Sequence, residues 1–349
     1  MSTINAVTPT RPWKASPKDR LRDASLFLLA VLGTYIVVAV TPMKGKLAYF
    51  ALFFIFYIAL TAGFQWFVRG SAAAKDAFVN SLVAIGAVVT VIPIASIIIT
   101  VVVKGSKGLH MGLLTHDMSM SAPTDPIASG GLLHAITGTI TLVVLALIMS
   151  IPVGILTALY LTEIRGSLTR PIQFLVQAMS GVPSIVAGLF ILSAVLYPIT
   201  HSYSGFMGAL ALTILMIPTI ARTAEEMLLL IPNDLREAGV ALGATQWRTV
   251  SGVVVPAAKS GLVTVVILGI ARIIGETAPL LLVSGGADAL NFNPTSGPMG
   301  SLPFYIWKAF LTGGTEEAYA RAWGGMLILL ILIFVLFGLA RYLSGRKVV

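Results

Sequence analysis

Two residues of opposite charge stand four positions apart in an otherwise apolar stretch of the sequence. Arg272 and Glu276 lie in a predicted membrane span, 257–285, and their spacing places both side chains on one helical face, where they can form an ion pair. A charged residue in hydrocarbon costs about 3 kcal/mol or more, so such residues usually face a cavity or a partner. Since a guanidinium offers paired donors to an oxyanion, this pair, with the adjacent Thr277, is a candidate anion site. A structural pair that fixes helix packing is the alternative.

A second cation lies near the end of another predicted span, 206–230. Arg222 stands close to the predicted cytoplasmic end of this span, with Glu225 and Glu226 three and four residues further along. We consider it a candidate second station, where the same anion leaves. The alternative is an interfacial anchor, because arginines near the ends of membrane helices commonly serve as one.

The apolar run 171–198 is interrupted by a Gly-x-Pro-Ser sequence at Gly181–Ser184. Proline has no backbone N–H, so the helical hydrogen-bond ladder breaks here. Where a broken helix lines a cavity, its free amides and the hydroxyls of Ser180 and Ser184 become donors, and broken helices often mark transport sites. A packing kink is the alternative.

The composition of the chain excludes a soluble protein. Of its 349 residues, 57% are hydrophobic and only 11% are charged, with a mean hydropathy of +0.94, whereas soluble chains carry about 25% charged residues. Cysteine is absent, which excludes disulfides, thiolate metal sites and cysteine nucleophiles, and the four histidines stand in no metal-ligand spacing. We therefore expect an all-α, polytopic integral membrane bundle with no metal site and no catalytic residue.

Eight segments are long and apolar enough to cross a bilayer, which takes about 20 residues. With the N-terminus in the cytoplasm, sixteen of the 23 Lys and Arg residues fall on the cytoplasmic side and six on the other, as the positive-inside rule requires. The net charge of +9 therefore reports topology and indicates no nucleic-acid partner. We expect a plasma or inner membrane protein with both termini cytoplasmic. The eight predicted spans are 24–41, 48–68, 78–103, 133–162, 171–198, 206–230, 257–285 and 323–343.

Three connecting loops are longer than simple turns. Loops 104–132 and 286–322, on the predicted outer side, are rich in Gly, Ser, Pro and Thr, and they are long enough to form a platform for a partner. The third loop, 231–256, is predicted to be cytoplasmic and to contain a short helix. We call it the coupling loop.

The coupling loop carries a spaced motif of small residues, which allows a short helix to seat closely in the groove of a partner. The pattern resembles the EAA loop of ABC-importer permeases, E-A-A-x3-G-x9-I-x-L-P, with glycine for the second alanine and valines for the isoleucine and leucine. An ordinary amphipathic connector is the alternative. The motif positions are Glu237, Ala238, Gly239, Gly243, Val253, Val255 and Pro256.

Three further stretches, 180–190, 221–228 and 271–281, match one branch of that superfamily. Together with the coupling loop they resemble the PstA-type permeases of phosphate ABC importers, and the Glu-Thr-Ala-Pro-Leu-Leu run favours that type over the sister PstC type. The resemblance covers about residues 78–345 and implies a type I ABC importer permease fold there. It does not cover the basic segment 1–23 or the additional hairpin 24–70.

This resemblance implies a subunit that translocates inorganic phosphate by alternating access. It implies a PstC-type permease as heterodimer partner, two PstB-type ATPases that receive the coupling loop and bind ATP and Mg, and a PstS-type binding protein that docks on the outer loops. Membrane lipid surrounds the bundle. The chain has no G-x-x-x-x-G-K-[ST] phosphate loop, so we expect no cofactor and no ATP hydrolysis in this chain itself.

Three rival functions stay open at this point. One is a permease for another oxyanion, such as sulfate or molybdate, because an arginine and a broken helix do not distinguish one tetrahedral anion from another. Another is a self-sufficient secondary transporter or channel, against which the coupling loop argues. The third is a membrane scaffold or sensor of phosphate status that carries no flux.

Overall fold

The computed structural model describes residues 17–43, 45–122 and 124–343, without the side chains of Lys18 and Leu343. Most of the predicted basic segment 1–23 lies outside these residues. Throughout the described part the regular elements are helices, and the β-type pairing there is a single isolated bridge between Gly285 and Met299. The prediction of an all-α fold is confirmed.

Packing divides the described part of the chain into two compact units, with the boundary between residues 98 and 99. In the first unit the rings of Phe27 and Phe53 meet edge to face with centroids 5.3 Å apart, which joins the first two helices. The hydroxyls of Thr61 and Ser81 lie 3.0 Å apart and join the second helix to the third. The predicted helices of the hairpin are confirmed, and a separate role for it stays a prediction. These helices are α1 (Pro17–Val40), α2 (Lys46–Arg69) and α3 (Ser71–Gly105), which the unit boundary divides.

The second unit holds the remaining helices, three of which continue as π-helical turns: α4 to Ile164, α6 to Thr200 and α9 to Val254. In chain order these helices are α4 (Leu133–Leu159), α5 (Thr169–Ser180), α6 (Ser184–Ile191), α7 (Gly205–Leu229), α8 (Asn233–Ala241), α9 (Gln246–Thr249), α10 (Val255–Ala257), α11 (Lys259–Ile273), α12 (Ala278–Val283), α13 (Leu302–Thr312) and α14 (Glu316–Leu343).

Within the described residues, six helices are long and apolar enough to cross a membrane. The number becomes eight if each of two bent helix pairs forms one span; these pairs are Thr169–Ser180 with Ser184–Thr200 and Gln246–Ala257 with Lys259–Ile273. Each α-helix satisfies its own backbone hydrogen bonds, as hydrocarbon demands. The chain is therefore a multi-pass membrane protein, as its composition predicts.

Helix α7 is the centre of the second unit, and α4, α5, α6 and α11 all pack on it. Small residues permit the closest approaches: a Cβ at Gly154 of α4 would lie 2.5 Å from Ile220 Cγ2, and one at Gly269 of α11 would lie 2.5 Å from Met216 Cε. Because lipid provides no hydrophobic drive between helices, such close van der Waals packing is what holds a membrane bundle together.

Two predicted spans are broken. The run 171–198 consists of α5 and α6 with its π-helical continuation, bent by 105° at the Gly181–Pro183 interruption. The run 257–285 was predicted as one helix, and this is wrong: α11 ends at Ile273, and α12 begins at Ala278 with Pro279 in its first turn. Proline lacks the N–H that would continue the ladder of α11, whereas the first turn of a new helix tolerates it.

Loops 104–132 and 286–322 are joined by hydrogen bonds. The amide of Met118 donates to the Asp288 carbonyl at 3.0 Å, and the amide of Leu290 donates to Asp117 Oδ2 at 3.0 Å. Loop 286–322 contains regular structure, namely α13 and the start of α14. Arg321 on α14 is buried and donates to the Ala122 carbonyl at 3.1 Å.

Candidate functional site

Arg272 lies in the last turn of α11, and Glu276 lies in the non-helical segment 274–277 that follows. Their side chains form the predicted ion pair, with Arg272 43% exposed and Glu276 14% exposed. The prediction that both belong to one continuous helix is wrong, because the pair forms across the end of α11. The guanidinium therefore stays accessible while the carboxylate that orients it is largely covered.

The backbone around this pair is held by local bonds and by the next helix. The amide of Glu276 donates to the Ile273 carbonyl at 3.0 Å, and the Thr277 hydroxyl donates to the Gly275 carbonyl at 3.5 Å. Helix α12 then packs on α6. Non-helical backbone at membrane depth is tolerated only where it is buried in protein or lines a water-filled cavity.

Ser180 and Ser184 flank the break at Gly181–Pro183, between α5 and α6. Ser180 is exposed and Ser184 is half-buried. Ser180 ends α5, and its hydroxyl donates to the Val176 carbonyl at 2.8 Å, while Ser184 is the first residue of α6. Among the hydrogen bonds and ion pairs of the described residues, none joins either serine to Arg272. The structure links the two breaks through the contact between α6 and α12.

Helix α5 presents a polar stripe that the sequence analysis missed. Gln173 and Gln177 are exposed and lie on the same face as Ser180, at positions i, i+4 and i+7, while Val176 is buried where α5 packs on α7. The sequence does contain a pattern that predicts this stripe, because two glutamines stand four residues apart in an apolar segment.

Arg222 projects from α7 and is 62% exposed. Its Nη1 lies 3.6 Å from Glu225 Oε2, and its Nε lies 4.0 Å from Glu226 Oε1. Arg222 therefore forms ion pairs with carboxylates three and four residues further along α7. Glu225 is only 11% exposed, so Arg222 partly neutralises a carboxylate within the bundle.

Arg222 and Arg272 lie at different depths. A Cβ at Gly261 would lie 3.1 Å from Met227 Cβ, and one at Gly269 would lie 2.5 Å from Met216 Cε, so α11 runs antiparallel to α7. Arg222 falls between these two contacts and Arg272 lies beyond the second. At 1.5 Å per helical residue, the two arginines differ by about 10 Å along the bundle.

The coupling loop forms α8, α9 and the π-helical turn before α10. Glu237 and Ala238 are exposed on α8, whereas Gly239 is buried. A Cβ at Gly239 would lie 2.6 Å from Thr249 Cγ2, so this glycine permits a contact within the chain. The expectation that small residues of this loop fit a partner's groove stays a prediction. Pro256 lies in the first turn of α10.

Gly243 ends α8 in the left-handed region, with φ of +82°. Its amide donates to the Val240 carbonyl at 2.9 Å, and the next amide, of Ala244, donates to the Gly239 carbonyl at 3.2 Å. These two bonds form a Schellman motif. Since a Cβ at Gly243 would meet nothing within 4 Å of this chain, glycine is required here for its conformation, and the expected role in packing against a partner stays a prediction.

Arg236 of α8 was also missed by the sequence analysis. Its Nη2 lies 2.8 Å from Glu163 Oε1, and its Nε donates to both Glu163 oxygens at 3.1 and 3.2 Å. The side chains are 20% and 7% exposed, respectively. No local pattern could have found this pair, because its members are 73 residues apart.

Comparison with known proteins places these features in a family. The model of the family described as "Binding-protein-dependent transport system inner membrane component" matches residues 150–349, which include both arginines and the coupling loop. One chain of the inward-facing MetNI methionine ABC transporter is similar in structure, with a TM-score of 0.48 and 22% sequence identity, over 62% of this chain and 94% of that one.

Curated relatives cover more of the chain. It is 38% identical over 248 residues to phosphate transport system permease protein PstA 1 of Mycobacterium tuberculosis (strain CDC 1551 / Oshkosh), spanning 70% of this chain and 81% of the relative. It is 37% identical over 285 residues to PstA of Mycobacterium leprae (strain TN), spanning 80% and 91%. It is 36% identical over 253 residues to PstA of Pasteurella multocida (strain Pm70), spanning 72% and 88%. The chain therefore belongs to the binding-protein-dependent transport system inner membrane components and, among them, to the PstA permease family.

Proposed function

We propose that this chain is a permease subunit of an ABC importer that moves inorganic phosphate across the plasma or inner membrane by alternating access. The observation that carries the proposal is the accessible guanidinium of Arg272, paired with Glu276 beside non-helical backbone. It occurs in a chain that is 36–38% identical to permeases named for phosphate transport.

Arg272 and Glu276 would bind the anion and let it go. A guanidinium offers paired hydrogen bonds to phosphate oxygens. Glu276 occupies part of that donor set and adds a nearby negative charge, which keeps the anion from being held too tightly for release. The hydroxyl of Thr277 lies next to the pair in the chain and would complete the donors.

Arg222 would serve as a second station about 10 Å away, a spacing that follows from the antiparallel contacts of α7 and α11. Between the stations, polar groups of α5 and the adjoining break would replace water around the anion. Those groups are the exposed amides of Gln173 and Gln177 and the hydroxyls of Ser180 and Ser184.

The coupling loop would receive the motion of a separate ATPase, which binds ATP and Mg. Its exposed surface includes Glu237 and Ala238 of the motif, together with large apolar side chains: Leu242 is 89% exposed and Trp247 is 67% exposed. Apolar side chains grouped on an otherwise polar loop mark an interaction site. ATP hydrolysis would belong to that partner and not to this chain.

The other partners follow from the same proposal. A PstC-type permease would complete the pathway on the exposed side of Arg272, and two PstB-type ATPases would hold the coupling loops. A PstS-type binding protein would dock on the platform of loops 104–132 and 286–322, which the bond between Leu290 and Asp117 joins. The N- and C-termini would both be cytoplasmic, the orientation favoured by the Lys and Arg distribution.

The experiment is uptake of labelled phosphate by proteoliposomes that hold the complete complex. Arg272→Ala removes charge-assisted hydrogen bonds of about 1.5–3 kcal/mol, so uptake should fall about ten- to a hundredfold at unchanged complex recovery. Arg341→Ala, at an exposed arginine in the last turn of α14, is the matched control and should transport normally. Normal uptake by the Arg272 variant would refute the anion site.

A further inference from the structure

Arg236 makes hydrogen bonds to three separate parts of the chain. Besides its ion pair with Glu163, it donates through Nη2 to the Leu228 carbonyl at 2.9 Å and through Nη1 to the Ile231 carbonyl at 2.6 Å. Nη1 also lies 3.3 Å from Asn233 Oδ1. Every nitrogen of the guanidinium is therefore engaged, and we call Arg236 and Glu163 the clamp.

The clamp joins α8 to two helices of the second unit, α4 and α7, at one point. Glu163 belongs to the π-helical turn that extends α4, and Leu228 lies in the last turn of α7. Helices α4 and α7 make the most extensive helix–helix contact of the described residues. A displacement of α8 is therefore applied directly to the pair of helices on which the second unit is built.

The other helix contacts of α8 are with the coupling loop itself, through α9 and the π-helical turn that follows it. Gly239 rests on the side chain of Thr249, which belongs to the coupling loop itself and would move with it. Gln246, the first residue of α9, donates to the backbone carbonyl of Glu163, so α9 is attached to the same residue as Arg236. On α8 itself, Asp234 and Glu237 are exposed charges with no ion pair within the described residues.

The contact between Arg236 and Glu163 is costly to break. The carboxylate of Glu163 is 7% exposed, and removal of one member of a buried pair leaves an uncompensated charge behind. The planar guanidinium engages both carboxylate oxygens, which fixes direction as well as distance. A loose contact would let α8 tilt without moving α4, and this geometry prevents that.

We propose that Arg236 is a positioning residue, which transmits the ATPase stroke from the coupling loop to α4 and α7 through Glu163. The proposal rests on the proposed function, because it requires an ATPase at the coupling loop. In this proposal the movement of the coupling loop reaches α4 and α7 through one buried ion pair as well as through the general packing of the loop.

The test measures motion at the anion site without reference to the substrate. Gly275 adjoins the Arg272–Glu276 pair, and a Cβ there would meet nothing within 4 Å. The chain has no native cysteine, so Gly275→Cys gives this subunit one site for a maleimide. The labelling rate is measured in the complete complex, with and without ATP and vanadate, in the parent and in variants that also carry Arg236→Ala, Glu163→Gln or the exchange Arg236→Glu with Glu163→Arg.

We expect ATP to change the labelling rate in the parent and to change it about tenfold less in the single clamp variants, since each leaves the other partner uncompensated. ATPase activity should continue, so phosphate transported per ATP should fall. The charge exchange should restore part of the response. Arg341→Ala, which removes an exposed cation of α14 outside the coupling loop, is the control and should respond as the parent does.

Three results would overturn the clamp. The first is an ATP response in the clamp variants equal to that of the parent, and the second is no ATP response in the parent. The third is a proportional loss of ATPase activity, phosphate uptake and complex recovery in the clamp variants, which would show that the ion pair is only structural. Failure of the proposed function is seen separately, as a parent complex whose labelling responds to ATP but which takes up no phosphate.

Discussion

Gly188 of α6 lies directly against the backbone of Pro279 in α12, where a Cβ on the glycine would come within 2.8 Å of the proline Cα. Each of these helices begins just after a break, α6 after Gly181–Pro183 and α12 after the segment with Glu276. The contact therefore holds the two broken spans in a defined relation, and the neighbourhood of Arg272 depends on it.

Gly188→Ala should weaken this contact. The added methyl meets backbone atoms, which cannot move aside as a flexible side chain can, so overpacking of about 1–3 kcal/mol is expected. The midpoint of thermal unfolding in detergent should fall and phosphate uptake should decrease. Gly338→Ala is the matched control, because a Cβ there meets nothing within 4 Å and alanine favours the helix. Equal stability of the two variants would contradict the contact.

Glu237→Lys should weaken ATPase association. Glu237 is exposed in the middle of α8, and its side chain has no ion pair among the described residues, so the substitution changes the docking surface without removing an internal contact. Recovery of the ATPase with the purified permease should fall. Glu316→Lys, an exposed reversal at the start of α14, should leave recovery unchanged. Undiminished recovery with Glu237→Lys would remove this residue from the interface.

Gly243→Ala should disorder the end of α8. Alanine in the left-handed region costs about 1–2 kcal/mol, and the Schellman bonds of Gly243 and Ala244 depend on that conformation. Hydrogen exchange of the α8 amides should become faster and phosphate transported per ATP should decrease. Gly252→Ala serves as comparison, because its Cβ would also meet nothing within 4 Å but its φ is not positive. Similar exchange in both variants would argue against the conformational role.

The link between loops 104–132 and 286–322 should depend on pH. The hydroxyl of Ser119 donates to Asp117 at 2.7 Å, and with the amides of Leu290 and Ser119 it lowers the pKa of the Asp117 carboxyl. A lowered pKa stabilises the folded loops above the ordinary aspartate pKa, and the contribution is lost as pH falls through the folded value.

Hydrogen exchange of the Leu290 amide should accordingly be constant from about pH 8 to pH 5, after correction for intrinsic rates, and its protection should weaken below about pH 4. In Asp117→Asn the protection should be lower at neutral pH and should lose this acid dependence. A wild-type profile in that variant would show that another group controls the link between the loops.

The sequence predicts the long helices well because hydrocarbon tolerates little else. Uninterrupted apolar runs such as 133–162 and 206–230 match α4 and α7 to within a few residues. Breaks are harder to predict. The Gly181–Ser184 interruption was recognised, but Pro279 stands late in its run and the end of α11 at Ile273 was missed.

The candidate site could be predicted only where its contacts are local. Arg272 with Glu276, and Arg222 with Glu225, form pairs four and three residues apart, a separation that sequence spacing reveals. The bond from Arg236 to Glu163 spans 73 residues and exists only because α4 and α7 bring the two ends together. Gly243 was recognised as a motif position, but its left-handed φ, and so its physical reason, became visible only in the structure.

The central claim is that this chain carries phosphate into the cell with energy from a separate ATPase. The most direct measurement is uptake of labelled phosphate, sulfate and molybdate in cells that lack the chain, with and without its restoration alongside the partner subunits. We predict that restoration returns phosphate uptake, that excess sulfate or molybdate competes poorly, and that uptake collapses when the ATPase is absent. Restored uptake of a different anion, uptake that persists without the ATPase, or no restored flux at all would contradict the account.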